Sequence, residues 1–375
     1  MGDDSENAMK FLAHSASDTG HVDSVRSHLS EVARCAAEFA GAFGAQEEAR
    51  NAGLLHDLGK YGDLFQKRLR HETSGVDHWS LGAFQALMHA KALGIASALA
   101  IQGHHIGLQW ASQDSLRNLS PEFLMQGHPL GLRIPDESLS VLLKRFEDDG
   151  LALSKIDASV FGYSSLCSEC ADAMLDVRML FSTLVDADFI ETEAHFQATD
   201  VDHKCYRRKG LPLEPKTALD ELMMYLDHLR KSGTSSLEIQ RVRDDLLQAC
   251  LCAAEQPSGI FTLTAPTGSG KTLSMMAFAL RHALEHNLSR IIVVIPYLSI
   301  IEQNVAVYQQ VFSRILSEAD LKQYVLEHHS MSGTREGEEA YESQGRLLSE
   351  NWDAPIVVTT SVQFLESLFS NRPGA

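Results

Sequence analysis

Little in this 375-residue sequence favours export, a membrane or bulk attraction to nucleic acid. Basic residues are scarce: 32 Lys and Arg stand against 50 Asp and Glu, a formal charge of −18. Proteins that hold nucleic acid by bulk electrostatics present a basic footprint. A polyanion must therefore be met here by a local groove, or by metal ions at a carboxylate-rich site. Long apolar runs are missing. The stretches 93–101 and 291–296 fall far short of the roughly 20 residues that cross a bilayer. The polar, acidic N-terminus has neither the basic start nor the apolar centre of a signal peptide, so a cytoplasmic protein with no membrane partner is expected. Cysteine is sparse. Cys35, Cys167, Cys170, Cys205, Cys250 and Cys252 are expected as reduced thiols. Cys167 and Cys170 have zinc-ligand spacing, with His195, His203 and Cys205 as candidate completions. A structural zinc site wants four ligands, and helix-surface cysteines are the simpler reading. There is no internal repeat and no low-complexity tract.

The chain is long enough for two or three domains at roughly 100–200 residues each. From about 21 to 196 the pattern is helical almost throughout. Val25, Leu29, Val32, Ala36 and Phe43 recur at three- and four-residue steps, the helix period. Similar stretches run over 47–58, 80–93, 95–103 and 171–193, and 109–135 reads as a loop. Composition changes after Val201. Arg207, Arg208, Gly210 and Pro212 mark a connector, followed by a helical piece at 217–229 and a Ser/Gly break. Beyond it, apolar strands at 260–264, 291–295 and 356–360 alternate with helical segments such as 272–283, which implies a parallel sheet. The expected architecture is multidomain: an all-α domain over 1–206, a linker with a short helix over 207–236, and an α/β phosphate-loop domain over 237–375.

The sharpest local feature is Leu54-Leu55-His56-Asp57-Leu58-Gly59-Lys60. Imidazole and carboxylate are both ligands for transition metals, and neighbours on a helix point about 100° apart. Lys60, four residues after His56, is expected on the same face, where a cation would hold a phosphate or an attacking water. One His-Asp pair means little in a chain with 17 histidines. The supporting set gives it weight: His28 on the inward flank of a helix, His78 in Asp77-His78-Trp79-Ser80, the tandem His104-His105 after Gly103, and Asp188 in Asp186-Ala187-Asp188.

In order, these residues resemble the metal-dependent HD phosphohydrolase pattern: His, His-Asp, then a later Asp. With His78, the tandem Gly-His-His and the segment 178–193 added, the chain resembles the CRISPR-associated type I helicase-nucleases over essentially its whole length. That resemblance implies an HD nuclease that cuts single-stranded DNA with one or two divalent transition metals (Mn, Ni, Co or Fe). It implies that His28, His56, Asp57 and Asp188 hold the first metal, and that His78, His104 and His105 hold the second with Asp57 bridging. Asp57 and Lys60 would be catalytic. Asp186 competes with Asp188 for the last ligand position, and Asp188 is preferred. The implied partners are single-stranded DNA and a Cascade-like CRISPR surveillance complex with its guide RNA.

Further on, Ala265-Pro266-Thr267-Gly268-Ser269-Gly270-Lys271-Thr272 follows an expected strand and opens a helix, the setting a phosphate loop requires. Gly268, Ser269 and Gly270 would cradle phosphates through backbone N–H groups. Lys271 would reach the β- and γ-phosphates of ATP, and Thr272 would hold Mg²⁺. The segments 295–303 and 357–364 resemble parts of a superfamily 2 helicase that contact the nucleic-acid backbone, which would make Thr359 and Thr360 DNA-binding. Gln240 and Arg243 could approach adenine, although a solvated helix face is the simpler reading. No Asp-Glu-Ala-His-like segment and no second RecA-like domain precede Ala375, so the helicase part is expected to be incomplete and to lack unwinding. The rival functions are an HD phosphohydrolase acting on small nucleotides and a non-catalytic regulatory or adaptor fragment.

Overall fold

A computed structural model describes residues 11–109, 112–156, 170–206, 210–233, 235–329 and 352–369. The chain divides into two compact units, the first formed mainly by the residues up to 207 and the second by 208–368.

The first unit is helical. Its elements are α1 (Val25–Ala40), α2 (Gln46–Leu55), α3 (Asp63–Leu69), α4 (Ser80–Ala90), α5 (Ile95–Ile106), α6 (Gln113–Arg117), α7 (Pro121–Gln126), α8 (Leu139–Asp148) and α9 (Cys170–Phe196). The Ser24 hydroxyl accepts from the Ser27 N–H and starts α1, which buries Val25, Leu29, Val32, Ala33 and Ala36 on one stripe. The stripe meets α2, α5 and α9 in one core containing Leu55, Leu58, Ile101, Leu180 and Leu184. Close approach depends on missing side chains. A Cβ at Gly53 would stand 2.5 Å from Ala33 Cα, and one at Gly82 would stand 1.8 Å from Leu55 O. The region 109–135, expected as loop, contains the two short helices α6 and α7, started by Ser112 and Ser120. By composition the stretch Ser80–Ile106 is apolar enough to cross a membrane. Here it is folded as α4 and α5, with Lys91 in the left-handed region between them (φ 53°), and much of it lies in the core. Of the two zinc-spaced cysteines, Cys167 lies outside the described residues, and Cys170 opens α9.

The second unit contains α10 (Pro215–Ser232), α11 (Leu237–Ala253), α12 (Lys271–His286), β1 (Ile291–Val294), α13 (Leu298–Phe312), α14 (Glu318–Tyr324), β2 (Val325–His328), β3 (Ile356–Thr359) and α15 (Ser361–Phe369). The sheet is parallel, in the order β1-β3-β2, with Ile356 paired to both Ile291 and Val325. Buried on all four residues, β3 is the centre, and a strand covered on both faces reads as a nearly continuous apolar run. Two expectations change. The 207–236 segment is not merely a linker: Leu213, Ala218, Leu219 and Leu222 are buried in the second core with Leu280, Val311 and Phe312. The strand expected at 260–264 does not form. No described strand pairs with it, and Ile260 is 99% exposed; apolar residues without a ladder partner do not make a strand. β2 in turn was not anticipated.

Candidate functional site

Five helical elements deliver the histidines and aspartates to one point in the first unit. His28 sits in the first turn of α1 and is fully buried. The α-helix carrying the His-Asp pair ends at Leu55, one residue earlier than the pair itself. Asp57 leaves helical geometry (φ −121°, ψ 30°), and a 3-10 turn, Leu58–Tyr61, follows. Lys60 is therefore not one helical turn above His56, as expected, but turns back to Asp57, with Nζ 2.8 Å from Oδ2. The Gly59 N–H donates to His78 O at 2.8 Å. A Cβ at Gly59 would stand 2.6 Å from His78 Cα, so only glycine lets the two segments touch. Asp77 then starts α4, accepting from the N–H groups of Trp79 and Ser80 at 2.9 Å each. The last turn of α5 supplies His104 and His105, and α9 supplies Asp188.

The arrangement is two groups joined by Asp57. In the first, His28 Nε2 lies 3.2 Å from His56 Nε2, 3.5 Å from Asp57 Oδ2 and 3.5 Å from Asp188 Oδ1. His56 Nε2 is 3.3 Å from Asp57 Oδ2 and 3.5 Å from Asp188 Oδ1. In the second, Asp57 Oδ1 is 3.4 Å from His78 Nε2, 3.5 Å from His104 Nε2 and 3.9 Å from His105 Nε2. His78 Nε2 and His105 Nε2 are 2.9 Å apart. Asp188, not Asp186, joins this cluster. A cavity of about 240 Å³, lined by Arg68, His78, Trp79, His105 and neighbours, opens beside the second group.

The proton positions follow from the outer contacts. His56 Nδ1 donates to Gly53 O at 2.7 Å, and His104 Nδ1 donates to Ile101 O. The Nε2 lone pair of His104 then points at Asp57 Oδ1. Both atoms are buried and neither has a hydrogen-bond partner. Two facing acceptors in a buried site repel and cost free energy unless a cation lies between them, so the residues present fit a divalent metal. Burial depresses His28 to about 4 and His78 to about 3, and it also lowers His104. Burial works against charge on His56 too, but Asp57 and Asp188 overcome it and push that imidazole up to about 10. Burial would raise Asp57, yet Lys60, His56 and His78 hold its carboxyl well below the usual range. Asp188 is likewise held down against burial, by His56 and His28. Two carboxylates thus balance one imidazolium and one ammonium in the metal-free site.

In the second unit, the phosphate-loop residues lie where a helix begins. Gly268 and Gly270 take positive φ (82° and 85°), and α12 starts at Lys271. Lys271 Nζ donates to the carbonyls of Ala265 (2.7 Å) and Pro266 (3.2 Å), and the Ser269 hydroxyl donates to Pro266 O at 2.8 Å. Thr272 is half-buried in the first turn of α12. Arg243 donates to Gly268 O at 3.2 Å, so it braces the loop, while the Gln240 amide donates to Ser235 O at 3.2 Å. The Thr-Thr pair divides. Thr359 is 0% exposed at the end of β3, and a hydroxyl sealed in the sheet does not reach a DNA backbone. Thr360 is accessible, and its hydroxyl accepts from the Gln363 N–H at 3.0 Å.

Comparison with known proteins agrees with this two-part organisation. Residues 25–143 match the HD domain family, and residues 234–371 match the type III restriction enzyme, res subunit, family. No curated protein sequence matches the chain. Among solved structures, T. fusca Cas3 with ADP aligns at a TM-score of 0.53 and 17% identity, over 95% of this chain and 44% of that one. T. fusca Cas3 with AMPPNP gives 0.50 and 16%, over 94% and 43%. The fold is Cas3-like: a helical HD domain followed by a small parallel-sheet, helicase-like domain. The chain spans less than half the length of these structures.

Several residues around this site escaped sequence reasoning. His14 Nε2 lies 3.4 Å from His28 Nδ1, before the first helix and outside any motif. His128 Nε2 donates to Asp77 Oδ2 at 2.7 Å across a separation that no local pattern reveals. Arg68 borders the cavity, and its position on α3, eight residues after Lys60, was the only available signal. Asp23 and Glu191 approach His28 as well, but Lys204 bridges both carboxylates and the Tyr206 hydroxyl donates to Glu191 at 2.6 Å. That group is a clamp between segments.

Proposed function

We propose that the HD site is a metal-dependent nuclease centre for single-stranded DNA, and that a protein carrying both domains couples it to ATP-driven movement along DNA in CRISPR interference. The observation that supports the reading best is the pair of unpartnered buried acceptors, Asp57 Oδ1 and His104 Nε2, facing each other at 3.5 Å beside a complete His/Asp group. One or two divalent transition metals (Mn, Ni, Co or Fe), held by His28, His56, Asp57 and Asp188 and by Asp57, His78, His104 and His105, would supply a nucleophile from water and neutralise the phosphodiester. Asp57 has one oxygen turned to each group and ties them together. Lys60 fixes that carboxylate through the same Oδ2 that faces the first group. The outward contacts of His56 and His104 hold their rings so that Nε2 faces inward. His105 is the most exposed of the set and lies where the cavity meets the site.

In the second domain, Gly268, Ser269, Gly270, Lys271 and Thr272 would bind ATP with Mg²⁺, and Thr360 would contact the DNA backbone. The partners in this reading are single-stranded DNA and a Cascade-like surveillance complex with guide RNA, in the cytoplasm. The test combines metal analysis of the purified 375-residue protein with cleavage of single-stranded DNA, duplex DNA and free nucleotides in Mn²⁺, Ni²⁺ or Co²⁺. Single-stranded cleavage without ATP, abolished in Asp57→Ala, is expected, because every proposed metal ligand lies in the first unit. Hydrolysis confined to nucleotides would point to a small-molecule phosphohydrolase. Metal binding without any hydrolysis would point to a regulatory module.

A further inference from the structure

A histidine that ligates through Nε2 needs a partner for its Nδ1 proton, and that partner sets both the tautomer and the ring angle. His56 and His104 use backbone carbonyls, Gly53 O and Ile101 O, each three residues back in the chain. His28 is different. In the first turn of α1 its Nδ1 meets the side chain of His14, with Nε2 3.4 Å away and the two rings edge-on at 4.7 Å between centroids.

His14 is held there by three sets of contacts. The backbone just before it is tied down: the Ala13 N–H donates to Asp23 O at 2.8 Å, and Leu12 bridges antiparallel to Ser24. Gln66 brackets Leu12, accepting from its N–H and donating to its O at 3.0 Å each, and also donates to Lys60 O at 2.8 Å. The ring packs on His195 and Phe196 at 5.0 and 5.8 Å between centroids, at the end of the helix that carries Asp188. The segment that presents His14 is thus fastened to the turn carrying Lys60 and rests against the helix carrying Asp188. It lies before residue 25, where the match to the HD domain family begins.

We propose that His14 is a positioning residue for the first metal group. Its Nε2 accepts the Nδ1 proton of His28 and thereby fixes the tautomer that leaves the His28 Nε2 lone pair for the ion. This role rests on the metal-centre reading above. The imidazole does the work that a carboxylate or carbonyl does behind most metal-bound histidines, and it does so from a segment outside the helical bundle.

The test is titration of metal-free protein with Mn²⁺ and with Co²⁺, following heat by calorimetry and the visible Co²⁺ absorption. It compares wild type, His14→Phe and His14→Gln, with thermal melting of the metal-free forms as a folding control. Phe keeps the ring and its packing but removes the acceptor; Gln restores an acceptor. Loss of such a partner behind a ligand weakens metal binding by about 10–100-fold. His14→Phe is expected to show that loss, with a changed Co²⁺ spectrum and a near wild-type melt, and His14→Gln is expected to recover most of the affinity. Wild-type affinity and spectrum in His14→Phe would overturn the proposal, and so would equal weakening in both variants, which would mark a packing role. Absence of metal uptake by the wild type would overturn the metal centre itself, and this role with it.

Discussion

Removing the charge of Asp57 exposes how much of the site's electrostatics depends on one side chain. The carboxylate is 2% exposed and its partner Lys60 is 4% exposed, with 2.8 Å between Nζ and Oδ2. In Asp57→Asn the shape is kept, but the ammonium is left buried beside a neutral amide. Breaking a buried pair from one side costs about 3–5 kcal/mol. The lower end, about 3 kcal/mol, is expected because the amide oxygen still accepts one hydrogen bond. For a unit of this size that is a fall of about 6–12 °C in Tm. The second variant, Asp57→Asn/Lys60→Met, removes both charges, and most of the loss should return, since the large cost of breaking a buried pair from one side comes from the uncompensated charge it leaves. The assay is urea and thermal unfolding of metal-free wild type, both single variants and the double variant, which gives the coupling energy directly. Mn²⁺ titration of the same proteins should show no saturable uptake in Asp57→Asn, because both groups lose their shared ligand. A single variant as stable as wild type would refute the reasoning, as would a double variant no better than the single.

The histidine shifts predict a stability maximum. His28 and His78, held near 4 and 3, favour the fold in their neutral form; that contribution is intact above the unfolded imidazole value of about 6.5 and is lost as pH falls towards 4. His56, raised to about 10, contributes with the opposite sign: its share is intact below about 6.5 and is lost as pH rises towards 10. Melting temperature of metal-free protein across pH 4.5–10 should therefore peak near neutrality, and a monotonic profile would contradict the assignment; bound metal should flatten the alkaline limb, since ligation needs His56 without its Nε2 proton. Gly82→Ala should destabilise the first unit and weaken Mn²⁺ binding together, because its Cβ would stand 1.8 Å from Leu55 O, at the joint between α4 and the His56-Asp57 segment; unchanged urea midpoint and metal affinity would contradict the packing. Lys271→Ala should weaken binding of a fluorescent ATP analogue by about 10-fold or more, as expected of the lysine that pairs with nucleotide phosphates, and equal affinity in the variant would remove the loop from nucleotide binding.

The helical character of the first domain and the parallel sheet of the second were legible because both rest on periodicity. The convergence of His28, His56, Asp57 and Asp188 was implied by the resemblance of their order to the HD pattern, since no local periodicity links residues that span 160 positions of the chain. Local geometry was harder to read. Residues 47–58 carry an unbroken helical pattern, yet the helix stops at Leu55. The cause is tertiary: Gly59 must meet the backbone of His78 and Asp57 must face two histidine groups at once, and a continuing helix would allow neither. The mistaken strand at 260–264 shows the converse. Its apolar run satisfies the pattern for a strand, but a ladder needs a neighbour, and the described sheet offers none. β2, Val-Leu-Glu-His, has too few residues and too mixed a composition to declare itself. Thr359 was chosen for its hydroxyl, while burial of the whole β3 strand placed that hydroxyl inside. His14 and His128 were invisible because their partners are fixed only by the fold.

The acidity of the chain bears on how such a site could meet DNA. A formal charge of −18 argues against long-range attraction, but at physiological ionic strength exposed charges further away than about 8 Å are largely screened. On the nuclease reading proposed above, what a phosphodiester would meet at the HD site is therefore set by groups within that distance. In the metal-free site the two carboxylates, Asp57 and Asp188, are matched by Lys60 and the His56 imidazolium, so local charge is near zero. Loading one divalent ion and releasing the His56 proton adds one net positive charge, and a second ion beside His78, His104 and His105 would add two more. Arg68, at the edge of the adjoining cavity, extends the positive field outward. DNA affinity at this site should thus depend on metal occupancy, and only weakly on the charge of the rest of the surface. In catalytically inactive conditions, such as Ca²⁺ in place of a transition metal, binding of single-stranded DNA should rise with the ion's occupancy and fall with added salt. Neutralising acidic residues on the far side of the first unit should leave it nearly unchanged.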